Sequence, residues 1–158
     1  MTNSNTTDCF ICRKHRGEVK LPGGAIYEDG LVFAGHAFNP DAPDEQYLGY
    51  LIVEPKRHVA GLARLTDDEA GRFGLLLTRL GQVLETAVHA EHIYLFVLGH
   101  HVDHLHYHLI PRYPGAPREY WGVHVDEWPD APKGDAQVIA ALCDTIRTNL
   151  KMGTNNDE

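Results

Sequence analysis

The chain has 158 residues, a formal net charge of −8 at neutral pH and a hydrophobic share of 43%. This length suits a single domain that buries a core without disulfide or metal staples. The negative charge argues against a general nucleic-acid-binding protein, which would carry a basic face, but it leaves room for a small anionic ligand. No apolar run reaches transmembrane length and the N-terminus has no signal-peptide core, so we expect a cytoplasmic protein with no membrane partner.

The two ends of the chain are polar. We predict disordered tails at residues 1–8 and 151–158, the second of them acidic, and one folded domain at 9–150.

The cysteines near the N-terminus indicate chemistry. Cys9 and Cys12 form a Cys-x-x-Cys pair, and the third cysteine, Cys143, lies among the apolar positions of a predicted helix. In a cytosolic chain such a pair favours metal or redox chemistry over a structural disulfide. Two imidazoles would complete a Cys₂His₂ zinc site, but spacing alone does not select them from eleven histidines.

Hydrophobic periodicity predicts five strands and two helices. The strands are expected at 25–28, 31–34, 50–53, 93–99 and 104–110, with an Asp-Gly turn joining the first two. A capping box, Thr66 to Glu69, begins a long helix that runs to about Val88, and a final helix covers about 135–150. These elements predict an α+β domain with an antiparallel sheet.

The long helix also carries a stripe of small residues, Ala70, Gly74, Thr78 and Gly81. Each interior glycine costs about 1 kcal/mol of helix propensity, so either close packing on this stripe compensates or the helix simply tolerates the loss.

The strand at 104–110 organises the chain. His104, His106 and His108 alternate with apolar residues, the pattern of a half-buried strand that projects all three imidazoles from one face. Neighbouring imidazoles would be rooted about 6.6 Å apart. Because zinc–nitrogen bonds are about 2 Å long, one ion cannot take all three from a straight strand. The histidines are therefore expected to have different roles.

This run matches His-φ-His-φ-His-φ-φ, the defining motif of the histidine triad (HIT) superfamily of nucleotide hydrolases and transferases, at all seven positions. The chain resembles the family from about Cys9 to Arg112, with a less familiar C-terminal third. The resemblance implies a HIT-like fold, with a five-stranded antiparallel sheet, one long central helix and a C-terminal helix. It also implies a homodimer.

The resemblance implies which residues bind zinc. Some HIT proteins hold structural zinc through an N-terminal Cys-x-x-Cys, a histidine after Pro-Lys-x, and the first triad histidine. These positions fall on Cys9, Cys12, His58 and His104. The alternatives are a dithiol of no consequence or a redox pair, although a redox pair would lack its usual βαβ context.

The resemblance also implies a catalytic site. His106 is expected to attack the α-phosphorus of a nucleotide, and His108 to bind a phosphate oxygen and assist the leaving group. A histidine at the third position favours hydrolysis, since related uridylyltransferases have Gln there.

Two departures from the family pattern affect this reading. Tyr50 stands where hydrolase members usually carry a further active-site histidine, and His100-His101 replace a phosphate-binding Gln followed by Ser or Thr. His101 could protonate a leaving group, which favours an amine. For His100 the alternatives are phosphate binding and a purely structural role.

The remaining substrate-binding candidates are less specific. Ribose contacts are expected near His36 and Asp41, and Trp121 is expected either to stack on a base or only to cover the sheet. His15 is expected at the surface or in a cap.

We therefore predict a hydrolase of nucleoside 5′-monophosphate derivatives that works through a nucleotidyl-histidine. The favoured substrates are adenosine phosphoramidates such as aminoacyl or peptidyl nucleotides. The alternatives are a hydrolase or phosphorylase of dinucleoside polyphosphates, or a non-catalytic nucleotide sensor. A catalytic metalloenzyme is disfavoured because the cysteines and His58 offer a closed zinc site.

Overall fold

The computed structural model describes residues 6–153. Its main sheet has five antiparallel strands, in the spatial order β1-β2-β4-β6-β5. These strands are β1 (Ala25–Glu28), β2 (Val32–His36), β4 (Leu51–Pro55), β5 (His92–Phe96) and β6 (Tyr107–Arg112). A two-stranded pairing joins β3 (Gln46–Tyr47) to β7 (Lys133–Gly134). The predicted α+β class with a five-stranded antiparallel sheet is confirmed.

Three helices accompany the sheet: α1 (Phe10–His15), α2 (Asp67–Ala87) and α3 (Ala136–Gly153). None of the helices between residues 6 and 153 is both long enough and apolar enough to cross a membrane. Because α3 ends at Gly153, it extends beyond the predicted helix end at 150. Residues 1–5 and 154–158 lie outside the described part, so the predicted tails stay predictions.

The capping box of α2 is confirmed. The Glu69 N–H donates to Thr66 Oγ1 at 3.2 Å, and the Thr66 N–H donates to the Glu69 carboxylate at 2.9 Å. These bonds satisfy two backbone donors that a helix start leaves without partners. Helices α2 and α3 then cover one face of the sheet, where Phe73, Leu80 and Ile139 are fully buried.

The first hairpin begins its second strand one residue later than predicted. Asp29 Oδ1 accepts the Leu31 and Val32 N–H groups at 2.8 and 2.9 Å. Because the side chain of the turn takes both N–H groups, the pairing of the hairpin strands begins only with Glu28 and Phe33.

The predicted strand at 104–110 is wrong at its start, since β6 begins at Tyr107. The Leu105 N–H donates to the carbonyl of Val59 at 2.6 Å, outside the sheet. The alternation nevertheless predicted the buried side correctly: Leu105, Tyr107 and Leu109 all lie in the core under the helices. His104 therefore lies outside β6 and does not follow strand geometry, whereas His108 lies within β6.

Candidate metal centre and active-site cleft

Cys9, Cys12, His58 and His104 come together at one end of the sheet, with their ligand atoms all within 4.8 Å of one another. Sulfur–nitrogen separations are 3.5 Å for Cys9–His104, 3.4 Å for Cys12–His58 and 3.5 Å for Cys12–His104. The Nδ1 atoms of the two histidines are 3.2 Å apart. Zinc bond lengths in a regular tetrahedron give edges of about 3.6 Å for S···N and about 3.4 Å for N···N. The four donors therefore fit a single tetrahedral zinc ion.

The surroundings of the cluster support metal binding. His104 is fully buried, and its Nε2–H donates to the carbonyl of Pro55 at 2.9 Å, which leaves the Nδ1 lone pair for a metal. Burial and the neighbouring Cys9 raise the pKa of the Cys12 thiol to about 11, so the thiolate needs a bound cation at neutral pH. The cluster fits a structural zinc that ties α1 to the sheet, and the four ligands are those expected from the sequence.

The other two triad histidines line a cleft on the sheet face away from α2 and α3. Their ring centroids are 4.9 Å apart. His106 Nδ1 lies 2.7 Å from the carbonyl oxygen of His104, an acceptor, so Nδ1 carries the proton. In the neutral imidazole of His106 the lone pair is therefore on Nε2, which is what a nucleophile at that atom requires.

His108 is held by Tyr50. The phenol oxygen lies 2.6 Å from His108 Nδ1, and Phe96 stacks on the imidazole at a centroid distance of 5.2 Å. Burial, with a smaller contribution from His106, lowers the pKa of His108 to about 4, and burial raises the pKa of Tyr50. Both groups are neutral at pH 7, so Tyr50 donates to Nδ1 and the His108 proton sits on Nε2. That buried N–H has no partner among the described residues, as expected of a donor that awaits a ligand or water.

The cleft has two parts that meet at His108. The first has a cavity volume of about 230 Å³ and is mainly apolar, with Phe10, Ile11, Leu21, Phe38 and Ile52 in its wall. The second has a cavity volume of about 340 Å³ and is more polar and acidic, with Asn39, Glu45, Gln46, Tyr50 and Asp126 in its wall. A cleft made of two such parts suits a small-molecule ligand.

Of the two residues expected to contact ribose, neither presents a free polar group to the cleft. His36 is 1% exposed and lines the apolar part, but its Nδ1 lies 2.6 Å from the Ala37 carbonyl and its Nε2 accepts the Gly49 N–H at 3.0 Å. Asp41 is exposed, on the loop whose Asn39 and Ala42 line the polar part.

Three other predicted site residues are not among those that line the two parts of the cleft. His100 and His101 are exposed on the loop after β5 and contact each other edge-on, while Val102 lines the cleft. Trp121 packs beyond the far end of β6, where the Arg112 guanidinium lies 3.8 Å from its ring centroid.

Sequence reasoning missed a buried charge cluster and one acid. Beside the cleft, Lys14 forms an ion pair with Glu54 and the buried His15 side chain hydrogen-bonds to the same carboxylate, so the expectation of a surface role for His15 is wrong. The available signal was Glu54, a charge inside an otherwise apolar strand. Asp126 carried no such signal, because it lies in an irregular acidic segment.

Comparison with known proteins agrees with this geometry. The HIT-domain family model matches residues 18–115. An uncharacterised HIT-like protein of Methanocaldococcus jannaschii is 31% identical over 111 residues, which cover 68% of this chain and 81% of the relative.

Solved structures share the fold. A zinc-bound histidine triad family protein from Mycobacterium smegmatis has a TM-score of 0.69 at 18% identity, covering 97% of this chain and 100% of that one. A hypothetical histidine triad nucleotide-binding protein from Sulfolobus tokodaii has a TM-score of 0.65 at 21% identity, covering 91% and 93%. With its triad motif, its sheet and its sequence matches, the chain belongs to the HIT family, a superfamily of nucleotide-binding proteins and nucleotide hydrolases.

Proposed function

We propose that the protein hydrolyses nucleoside 5′-monophosphate derivatives at the α-phosphorus, with His106 as the nucleophile. The observation that carries this proposal is the 2.7 Å contact between His106 Nδ1 and the His104 carbonyl, which places the lone pair of the neutral imidazole on Nε2, in a cleft that His106 lines. His108, whose buried Nε2–H has no partner within residues 6–153, is suited to donate to the phosphate or to the leaving group.

The reaction divides into two displacements. In the first, His106 Nε2 bonds to phosphorus as the bond to the leaving group breaks. The His108 Nε2 proton passes to the leaving atom, and Tyr50 returns a proton to Nδ1 across their 2.6 Å contact. In the second, water attacks the nucleotidyl-histidine, and its proton restores His108 and Tyr50. The positive charge on modified His106 offsets the transient phenolate.

We favour an amine as the leaving group, that is, a nucleoside phosphoramidate such as an aminoacyl or peptidyl nucleotide. Exposed His100 and His101 no longer support this choice. The support comes from the polar part of the cleft, where Glu45 and Asp126 stand in the wall and a further anionic phosphate would be repelled. Amine release also benefits from the proton relay through Tyr50.

The alternatives make different demands on the same site. A hydrolase or phosphorylase of dinucleoside polyphosphates needs cations for its phosphates, and those described residues that line the polar part include no lysine or arginine. A non-catalytic sensor would not need an oriented nucleophile beside a proton donor.

The test is AMP release from a panel of adenosine phosphoramidates and diadenosine polyphosphates. His106→Ala should lower turnover by several orders of magnitude while nucleotide binding persists. A substrate labelled at the α-phosphorus and quenched in alkali should label the wild-type protein but not this variant. Full activity of His106→Ala would refute the mechanism.

We also propose a homodimer in the cytoplasm. Strand β5 lies at a sheet edge with Leu95 48% exposed, and β-carbons built at Gly74 and Gly81 on α2 meet no atom within 4 Å. An apolar edge strand beside a smooth helix face is suited to pair with a second copy. Reduced cysteines, which zinc requires, fit the cytoplasm.

A further inference from the structure

A buried ion pair stands in the wall of the cleft, although the proposed hydrolysis does not use it. Lys14 Nζ lies 2.5 Å from Glu54 Oε1, and these side chains are 6% and 1% exposed. His15 Nε2 lies 2.9 Å from the other carboxylate oxygen. Burial would raise the pKa of Glu54, but the hydrogen bond with His15 and the charge of Lys14 hold it below its usual value. The carboxylate is therefore ionised.

Stability alone explains this pair poorly. Removing two charges from water is costly, and replacing a buried ion pair by apolar residues of similar volume is often neutral or stabilising. Here the surroundings are apolar: Phe33 and Phe10 have ring centroids 5.2 and 5.9 Å from Lys14 Nζ. A pair that faces a ligand-sized cleft is better explained by a ligand.

The hydrogen-bonding capacity that remains belongs to Lys14. An ammonium has three N–H donors, and Glu54 takes one; no second acceptor is present among the described residues. Both Glu54 oxygens are already engaged, one by Lys14 and one by His15. This wall therefore offers donors to a ligand.

The pair lies within reach of a nucleoside whose phosphate is at His106. Ile52 pairs with His108 across the sheet, and Glu54 is two residues further along β4 on the same face, about 6.6 Å away. Phe10, Phe38 and Ile52 line the space between as an apolar slot that suits a flat ring. A base in this slot would turn one edge toward Lys14.

We infer that Lys14, held in place by Glu54, makes this site selective for 6-oxopurines, hypoxanthine and guanine, over adenine. Both acceptors on the major-groove edge of a 6-oxopurine, O6 and N7, suit the free N–H groups of Lys14, whereas adenine places an amino donor at that position. This inference rests on the proposed function only in placing the phosphate at His106.

The sharpest test compares IMP with AMP. The two nucleotides have the same ribose and phosphate and differ only at the edge of the six-membered ring of the base. Calorimetric titration of the wild-type protein should show IMP binding roughly tenfold to a hundredfold more tightly, as expected for hydrogen bonds from a charged donor. Lys14→Met with Glu54→Gln should abolish this preference, mainly by weakening IMP. The double change avoids leaving a buried carboxylate without its partner.

The matched control is Lys56→Met with Glu28→Gln, which removes another Lys–Glu pair outside the cleft. It should keep the IMP preference. Equal affinities of the wild type for IMP and AMP would overturn the inference, as would a preference that survives in the Lys14 variant. Weakening of both nucleotides to the same extent would show a purely structural pair. If neither nucleotide binds to the wild type, the proposed function itself fails.

Discussion

Tyr50→Phe isolates the contact between Tyr50 and His108. The variant removes one oxygen, keeps the ring, and leaves His108 Nδ1 without the donor that lies 2.6 Å away. Loss of an ordinary hydrogen bond costs about 1 kcal/mol of stability. The expected catalytic loss is larger, because the bond also fixes the His108 proton on Nε2. Without it the opposite tautomer, which points a lone pair at the phosphate, becomes accessible.

The catalytic loss should depend on the leaving group. A positioned proton donor contributes about 10²–10⁴-fold when the leaving group needs a proton. We therefore expect kcat for an adenosine phosphoramidate to fall about a hundredfold in Tyr50→Phe, and kcat for a p-nitrophenyl nucleotide ester to fall much less. Steady-state rates for the two substrates, measured at pH 7 with both proteins saturated, give this ratio directly. Tyr50→His should restore part of the phosphoramidate rate.

Tyr113→Phe is the matched control. Its phenol is also buried and donates to the Leu48 carbonyl at 2.8 Å, away from the triad. The two variants should lose similar free energies of unfolding in urea, but only Tyr50→Phe should change the ratio of rates. An unchanged ratio in Tyr50→Phe, or an equal change in both variants, would refute the relay.

Three further predictions follow from other parts of the structure. Metal analysis should find about one zinc per chain. Cys9→Ser should lower the zinc content and should also lower the thermal midpoint, by roughly 6–12 °C if it costs about 3 kcal/mol, whereas Cys143→Ala should keep its metal. A native protein without zinc would contradict the site. Gly74→Leu should favour helix α2, since a β-carbon added at Gly74 would meet no other atom of the described residues within 4 Å, but it should weaken the dimer in light scattering. A wild-type chain that stays at 17.7 kDa at micromolar concentration would exclude the dimer. Burial lowers the pKa of His108 from 6.5 to about 4, so between these pH values the histidine binds a proton in the unfolded chain but not in the folded one. The free energy of unfolding therefore falls as the pH falls from 6.5 toward 4. His108→Gln should lose less free energy of unfolding between pH 7 and pH 5 than the wild type, and equal losses would contradict this account.

The residue pattern predicted the sheet and the capping box well, whereas the two histidines of the metal cluster came from the family resemblance. Alternation places Leu105, Tyr107 and Leu109 on the core side wherever the strand begins, because side-chain direction follows the backbone locally. The start of β6 was missed because it depends on a long-range hydrogen bond. The Leu105 N–H donates to the carbonyl of Val59, 46 residues earlier in the chain, and not to a neighbouring strand.

The charge cluster was harder to predict. Lys14 and His15 follow Cys12 in a helix of only six residues, where charged side chains usually face solvent. Their burial results from tertiary packing, because the metal cluster holds α1 against β4. The role of Trp121 stays a prediction: the Arg112 guanidinium lies 3.8 Å from its ring centroid, and the side chain is 40% exposed.

His104 connects the metal centre to His106, the proposed nucleophile. Its Nδ1 belongs to the metal cluster, its Nε2–H donates to Pro55 at 2.9 Å, and its carbonyl accepts from His106 Nδ1 at 2.7 Å. These three contacts fix the ring and the backbone of one residue, and the carbonyl in turn fixes the tautomer of His106. In the proposed mechanism, the metal would therefore help to orient the nucleophile without taking part in the reaction. The ring of His104 serves the metal cluster, and its carbonyl serves His106.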